Sequence, residues 1–137
     1  MNTGQTNAKQ IHINCYTDAS YCNVMMLSVI GIKIGNKPIY LEQLPNVKNT
    51  EAEIYAINKC IELCSLLHFN ALIYIYTDCQ KAFQLENLSE NVLLIKIKGH
   101  KKKNLKDTND IIFSSVDKMV RKRLRIIRKN RLHKEIL

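Results

Sequence analysis

The seven residues Ala71–Thr77, ALIYIYT, constrain the fold more than any other stretch. Nearly every position is apolar, aromatic or β-branched, so the strand they form is buried on both faces. Helical patterns flank this run on either side. A doubly buried strand between helices belongs to a helix-covered sheet whose parallel neighbours are joined by crossovers. The run closes on Tyr76-Thr77-Asp78, and the same tripeptide closes an earlier apolar run at Tyr16-Thr17-Asp18.

The other elements follow from periodicity and turn chemistry. Ile11–Thr17 reads as a first strand ending at Asp18, and Val24–Ile34 as a buried second strand. Gly35–Pro38 marks a turn, Ile39–Leu44 a third strand, and the three form an antiparallel meander. Thr50–Leu67 is a helix, with Thr50 and Glu53 spaced as a capping box and Ile54, Ile57, Ile61, Cys64 and Leu67 as its buried stripe. Lys81–Leu88 is a short helix and Asn91–Lys98 a fifth strand. Ile112 to Arg128 is a last helix with Val116, Met119, Val120, Leu124 and Ile127 on its apolar face. The order β-β-β-α-β-α-β-α describes an α/β domain over residues 11–128. A polar lead-in (1–10), expected to be disordered, precedes it, and a basic tail (129–137) follows.

A chain of 137 residues supports one core. Its net charge of +9 is unevenly placed. Residues 1–95 hold six Lys/Arg against eight Asp/Glu; residues 96–137 hold fifteen against four. This asymmetry points to a polyanion partner. No apolar run is long enough to span a bilayer, so no membrane partner is expected. The segment MNTGQTNAKQ has no apolar signal core, which makes the cytoplasm the expected compartment. The five cysteines are odd in number and lack a CxxC pair, which argues for buried packing over disulfides or zinc. The chain is expected to be a monomer.

If strands one and four are parallel neighbours, Asp18 and Asp78 emerge at the same end of the sheet, where open α/β sheets carry their sites. Glu53 joins them from the first helix. Convergent carboxylates repel unless a cation compensates them. An all-oxygen donor set favours Mg²⁺ or Mn²⁺ over zinc. Two such ions can activate water and stabilise the leaving oxygen of a phosphodiester.

These motifs together resemble type 1 ribonuclease H, in a short form lacking the basic protrusion, over roughly residues 11–128. TDAS resembles the family's first-strand motif and gives Asp18. NTEAEIYAINKCIEL resembles its first helix and gives Glu53. YTDCQ resembles its fourth strand and gives Asp78 and Gln80. IKIKGH resembles the fifth strand and gives His100, and SVDKMVRK resembles the last helix and gives Asp117. The resemblance implies an RNase H-like fold with a five-stranded mixed sheet flanked by helices. It implies hydrolysis of the RNA strand of RNA–DNA hybrids with two Mg²⁺ ions (Mn²⁺ as an alternative), leaving 5′-phosphate and 3′-hydroxyl ends. Asp18 would touch both ions, Glu53 and Asp78 would complete the site near the leaving group, and Asp117 the site of the attacking water. His100 would assist proton transfer or product release, and Asn49 and Gln80 would read the minor groove of the hybrid.

Two departures from the family pattern matter. Asp78 and His100 are only twenty-two residues apart. That interval has no room for a basic protrusion, so grip on substrate is expected to shift to the C-terminal region, with Arg121, Lys122 and Arg123 as candidates. The family spacing also lands the fourth carboxylate on Asp110, which reads as a helix N-cap. Asp117 has the better apolar flanks but requires a longer loop, and is preferred. A structure-selective DNA nuclease of the same fold, or an inactive nucleic-acid-binding module, are the alternative functions.

Overall fold

A computed structural model of the chain describes residues 11–67, 70–98 and 106–136. The elements are β1 (His12–Cys22), β2 (Leu27–Ile34), β3 (Tyr40–Pro45), α1 (Asn49–Leu67), β4 (Leu72–Thr77), a 3₁₀ helix (Gln80–Gln84), β5 (Val92–Lys96) and α2 (Thr108–Ile136). The five strands form one mixed sheet in the order β3-β2-β1-β4-β5. β1 is central, antiparallel to β2 and parallel to β4. The meander and the parallel second half are both as the sequence implied.

Each face of the sheet packs on one helix. On one side Cys15, Ile30, Ile32, Ile73 and Ile75 meet α1, and on the other Tyr16 and Val29 meet Phe113, Val116 and Val120 of α2. Alternation along β1 therefore sends Cys15 and Ala19 toward α1, and Tyr16 and Asp18 toward α2. The tyrosines are sheet packing: Tyr16 stacks on Tyr76 with centroids 5.0 Å apart, and its hydroxyl donates to Asn109 Oδ1 at 2.5 Å. Gly35 turns the β2–β3 hairpin at φ 51°, a conformation that disfavours residues with a Cβ.

Several boundaries differ from the sequence reading, each for a physical reason. β1 does not end at Asp18 but continues to Cys22, because antiparallel pairing with β2 runs on through Asp18↔Gly31 to Cys22↔Leu27. β2 begins only at Leu27, after a turn in which Met26 has φ 50°. α1 starts at Asn49, so Thr50 lies inside its first turn and is not its cap. The residues of α1 that are fully buried are Ala52, Ala56, Ile57, Cys60 and Cys64, whereas Leu67 is exposed and Ile54 and Ile61 are half-buried. Small side chains let the helix lie close to the sheet. The helix expected at Lys81–Leu88 is a 3₁₀ turn, Gln80–Gln84. α2 begins earlier, at Thr108, and runs through most of the expected basic tail to Ile136. Met119, placed on its apolar face from the sequence, is 42% exposed.

The approach of α2 to the sheet depends on Gly31. A Cβ there would lie 2.6 Å from a Val120 methyl and 2.9 Å from a Val116 methyl. Both neighbours are β-branched and stiff at χ1. Gly31→Ala is expected to destabilise the protein by about 1–3 kcal/mol through overpacking. The measurement is the urea midpoint, which should fall without a change in slope.

Candidate active site

β1 and β4 run side by side in register as far as Tyr16↔Tyr76. Beyond that pair they part. β1 continues along β2, while β4 turns away into the 3₁₀ helix. Thr77 fixes the turn, because its Oγ1 accepts a hydrogen bond from the Cys79 amide at 3.1 Å. The matching aspartates, Asp18 and Asp78, flank the fork. Tyr-Thr-Asp recurs because two parallel neighbours carry equivalent residues at the same level.

α1 delivers the third carboxyl. Glu53 sits one turn after Asn49, and one carboxylate oxygen from each of Asp18, Glu53 and Asp78 lies within 4.8 Å of the other two. The Cys79 thiol also hydrogen-bonds Glu53. Asp117, on α2 next to Val116, comes within hydrogen-bonding reach of Asp18. On its other side Asp117 pairs with Arg121, one turn further along the helix.

The electrostatics of this cluster follow from its burial and crowding. Asp18 is 5% exposed. Burial first, then the neighbouring Asp117, Asp78 and Glu53, push its carboxyl up from 3.8 to about 9. Burial and the charge of Asp78 push Glu53 up from 4.5 to about 7. Asp78 is shifted upward too, chiefly by burial. The oxygen-only donor set suits a hard divalent cation, and bringing such an ion to the cluster would relieve the repulsion that raises these values.

The site opens into a cleft of about 290 Å³ lined by Asp78, Asp110 and Asp117 together with Lys98, Lys106 and Arg121. An acidic floor thus meets a basic rim. Asp110 lines the cleft, but its local role is different. Its Oδ2 accepts from the Asp107 amide at 3.0 Å, and Asp107 Oδ1 accepts from the Asp110 amide at 2.9 Å. Asp107 is the N-cap of α2 and Asp110, the third residue of the helix, completes the reciprocal pair. The N-cap is therefore Asp107 and not Asp110, to which the sequence pointed; the Asp-x-x-Asp spacing was the available signal.

The remaining candidates are placed as follows. Asn49 is exposed at the start of α1, and Gln80 is exposed with its Oε1 accepting from Lys96 Nζ. His100 and Lys101–Lys103 lie outside the described residues. The structure also brings Cys15 together with Cys60 and Cys64, all three fully buried; Cys15 Sγ and Cys64 Sγ are 3.5 Å apart.

No protein-family model matches the chain, and no curated protein sequence does. Solved structures do match. The native crystal structure of prototype foamy virus protease-reverse transcriptase superposes with a TM-score of 0.64 at 16% identity, over 89% of this chain and 22% of that one. LC11-RNase H1 in complex with an RNA/DNA hybrid superposes with a TM-score of 0.53 at 13% identity, over 67% of this chain and 89% of that one. The fold is RNase H-like. At these identities the likeness establishes the RNase H-like architecture, and the chemistry has to be argued from the carboxylates themselves.

Their upward shifts make a pH prediction for the metal-free protein. Because the folded chain favours protonated Asp18 and Glu53, their stabilising contribution is complete below about pH 4. It is lost as pH rises through about 7 for Glu53 and about 9 for Asp18. In chelator, the wild type should lose melting temperature relative to Asp18→Asn as pH is raised over this window. Near pH 8 the variant should melt higher by on the order of 5 °C. Mg²⁺ or Mn²⁺ should raise the wild-type melting temperature and leave Asp18→Asn nearly unmoved.

Proposed function

We propose that the chain is a metal-dependent endonuclease that cleaves the RNA strand of RNA–DNA hybrids. The observation that carries this reading is the meeting of Asp18, Glu53 and Asp78 at the fork of β1 and β4, with Asp117 against Asp18, beneath a cation-rimmed cleft. The RNase H-like fold supports it, as does the hybrid bound to one structural neighbour.

In this reading the four carboxylates would hold Mg²⁺ or Mn²⁺, two ions in all. Bound there, the metal supplies an activated water and stabilises charge on the leaving oxygen, giving 5′-phosphate and 3′-hydroxyl products. The chain's own groups do the rest. The α2 side of the cleft excludes water from Asp18. Lys98, Lys106 and Arg121 attract the phosphodiester to the rim. Asn49 and Gln80, at the openings of α1 and the 3₁₀ helix, are assigned to the minor groove, where 2′-hydroxyls distinguish RNA from DNA. His100 is assigned to moving a proton at the scissile phosphate or releasing product.

Asp117 is preferred over Asp110 as the fourth carboxylate because it reaches Asp18, whereas Asp110 is engaged with Asp107. Asp117→Ala should lower metal-dependent cleavage of a labelled hybrid by about 10²-fold or more. Asp110→Ala should cut at near wild-type rate and lose about 1 kcal/mol of stability. The opposite pattern would reassign the ligand. Matched RNA duplex, DNA duplex and DNA junction substrates test the specificity: cutting confined to the RNA strand of the hybrid supports the reading, and preferential cutting of the junction replaces it with a DNA nuclease.

A further inference from the structure

A second cavity adjoins the carboxylate cleft. A groove of about 430 Å³ runs between α2 and the hairpin that joins β1 to β2. Arg121, Leu124, Arg125 and Arg128 form its helix wall, and residues 20–24 form the other. The three arginines recur at i, i+4 and i+7, so they share one helix face over about 10 Å of axis. Arg131 reaches the Met25 carbonyl at 3.5 Å and ties the hairpin turn to the helix.

The charge of this region is one-sided. From Lys118 to Lys134, α2 carries nine Lys/Arg and no Asp/Glu, and the hairpin from Ala19 to Leu27 has no acidic residue. Asp117 pairs with Arg121, but among the described residues no acidic side chain lines the groove beside Arg125 and Arg128. Arg121 also lines the carboxylate cleft, so the two cavities share a wall. Lys122 and Arg123, which the sequence offered as grips, do not line this groove; Lys122 lines another cleft of α2.

We propose that this groove holds the sugar-phosphate backbone of the nucleic-acid strand whose neighbouring phosphodiester lies in the carboxylate cleft. Arg125 and Arg128 contact its phosphates. The proposal rests on reading the cleft as a phosphodiester site. Guanidinium forks match phosphate oxygens in pairs. A row of them leading away from the cleft suits a polymer rather than an isolated ion. Leu124 and Val24 give the groove an apolar strip against which sugars can lie.

The first test measures binding of a fluorescent RNA–DNA hybrid to the full chain in chelator, by anisotropy across a salt titration. Arg125→Gln/Arg128→Gln should weaken binding about tenfold and flatten the salt dependence by about two counterions. Arg123→Gln/Lys134→Gln removes the same charge away from the groove and should change affinity by less than about threefold. Equal losses in both variants, or none in the first, would overturn the proposal. The second test needs no mutation. Cys22 lines the groove and is partly exposed, whereas the other four cysteines are buried. Bound hybrid should slow alkylation of Cys22, read by mass spectrometry, and polyglutamate should not. Equal protection by polyglutamate would favour an acidic protein partner and overturn the assignment. Both readouts are independent of cleavage. A chain that binds hybrid through the groove but cuts nothing with Mg²⁺ refutes the nuclease reading and leaves the groove. A chain that cuts hybrid with unchanged KM in Arg125→Gln/Arg128→Gln refutes the groove and leaves the nuclease.

Discussion

The contact of Val116 and Val120 with the bare backbone of Gly31 sets the position of everything around the carboxylates. Gly31 is the cross-strand partner of Asp18, so the point where α2 comes nearest the sheet is also the point where Asp18 projects. That approach buries Asp18, and burial is the largest cause of its raised pKa. It also carries Asp117 into place, one residue after Val116. A single missing methyl group thus links the packing of α2 to the chemistry of the cleft.

The site sets function against stability within a small domain. Carboxyls brought together under a helix are costly, and burial and crowding raise the pKa values of Asp18, Glu53 and Asp78 in the metal-free protein. Behind the cluster the support is apolar and dense. Cys15 and Cys60 lie in a core of Ile, Ala and Cys side chains that extends from β1 to α1. Burial and mutual contact hold the Cys60 thiol well above its usual range, so it packs as a neutral side chain. The Glu53 carboxyl therefore projects from a helix packed on a dense core, and Asp18 from the central strand of the sheet.

Much of this was legible in the sequence because it is locally encoded. The β-rich run Ala71–Thr77, the paired Tyr-Thr-Asp motifs and the placement of Glu53 early in a helix point to three carboxylates at one sheet end, although the run is fully buried on one face only and Leu72, Tyr74 and Tyr76 are half-buried on the other. What the sequence hid depends on partners distant in the chain. Nothing local announces that β1 continues past Asp18, since the polar Asp and Ser interrupt the apolar pattern; β2 supplies the pairing that extends it. In α1, hydropathy favours the isoleucines, but the closeness of the sheet selects Ala52, Ala56 and Cys60 for full burial. The dense Arg and Lys of residues 129–134 read as a tail by charge, yet these are good helix formers and α2 continues through them. The arginine groove was invisible for the same reason: charge count does not say which of nine cations face residues 20–24, which lie far away in the sequence.

The carboxylates at 18, 53, 78 and 117 are contributed by β1, α1, the turn after β4, and α2. The ribosome delivers these elements in that order, N-terminal part first. The central pair β1–β4 has its sequence in hand once residue 78 is free, but Asp18 stays open to water until α2 arrives and covers Gly31. Between the release of residue 78 and that of α2 a nascent chain therefore carries an incomplete, hydrated cluster. The fourth carboxylate and the dry pocket are acquired together, when α2 docks.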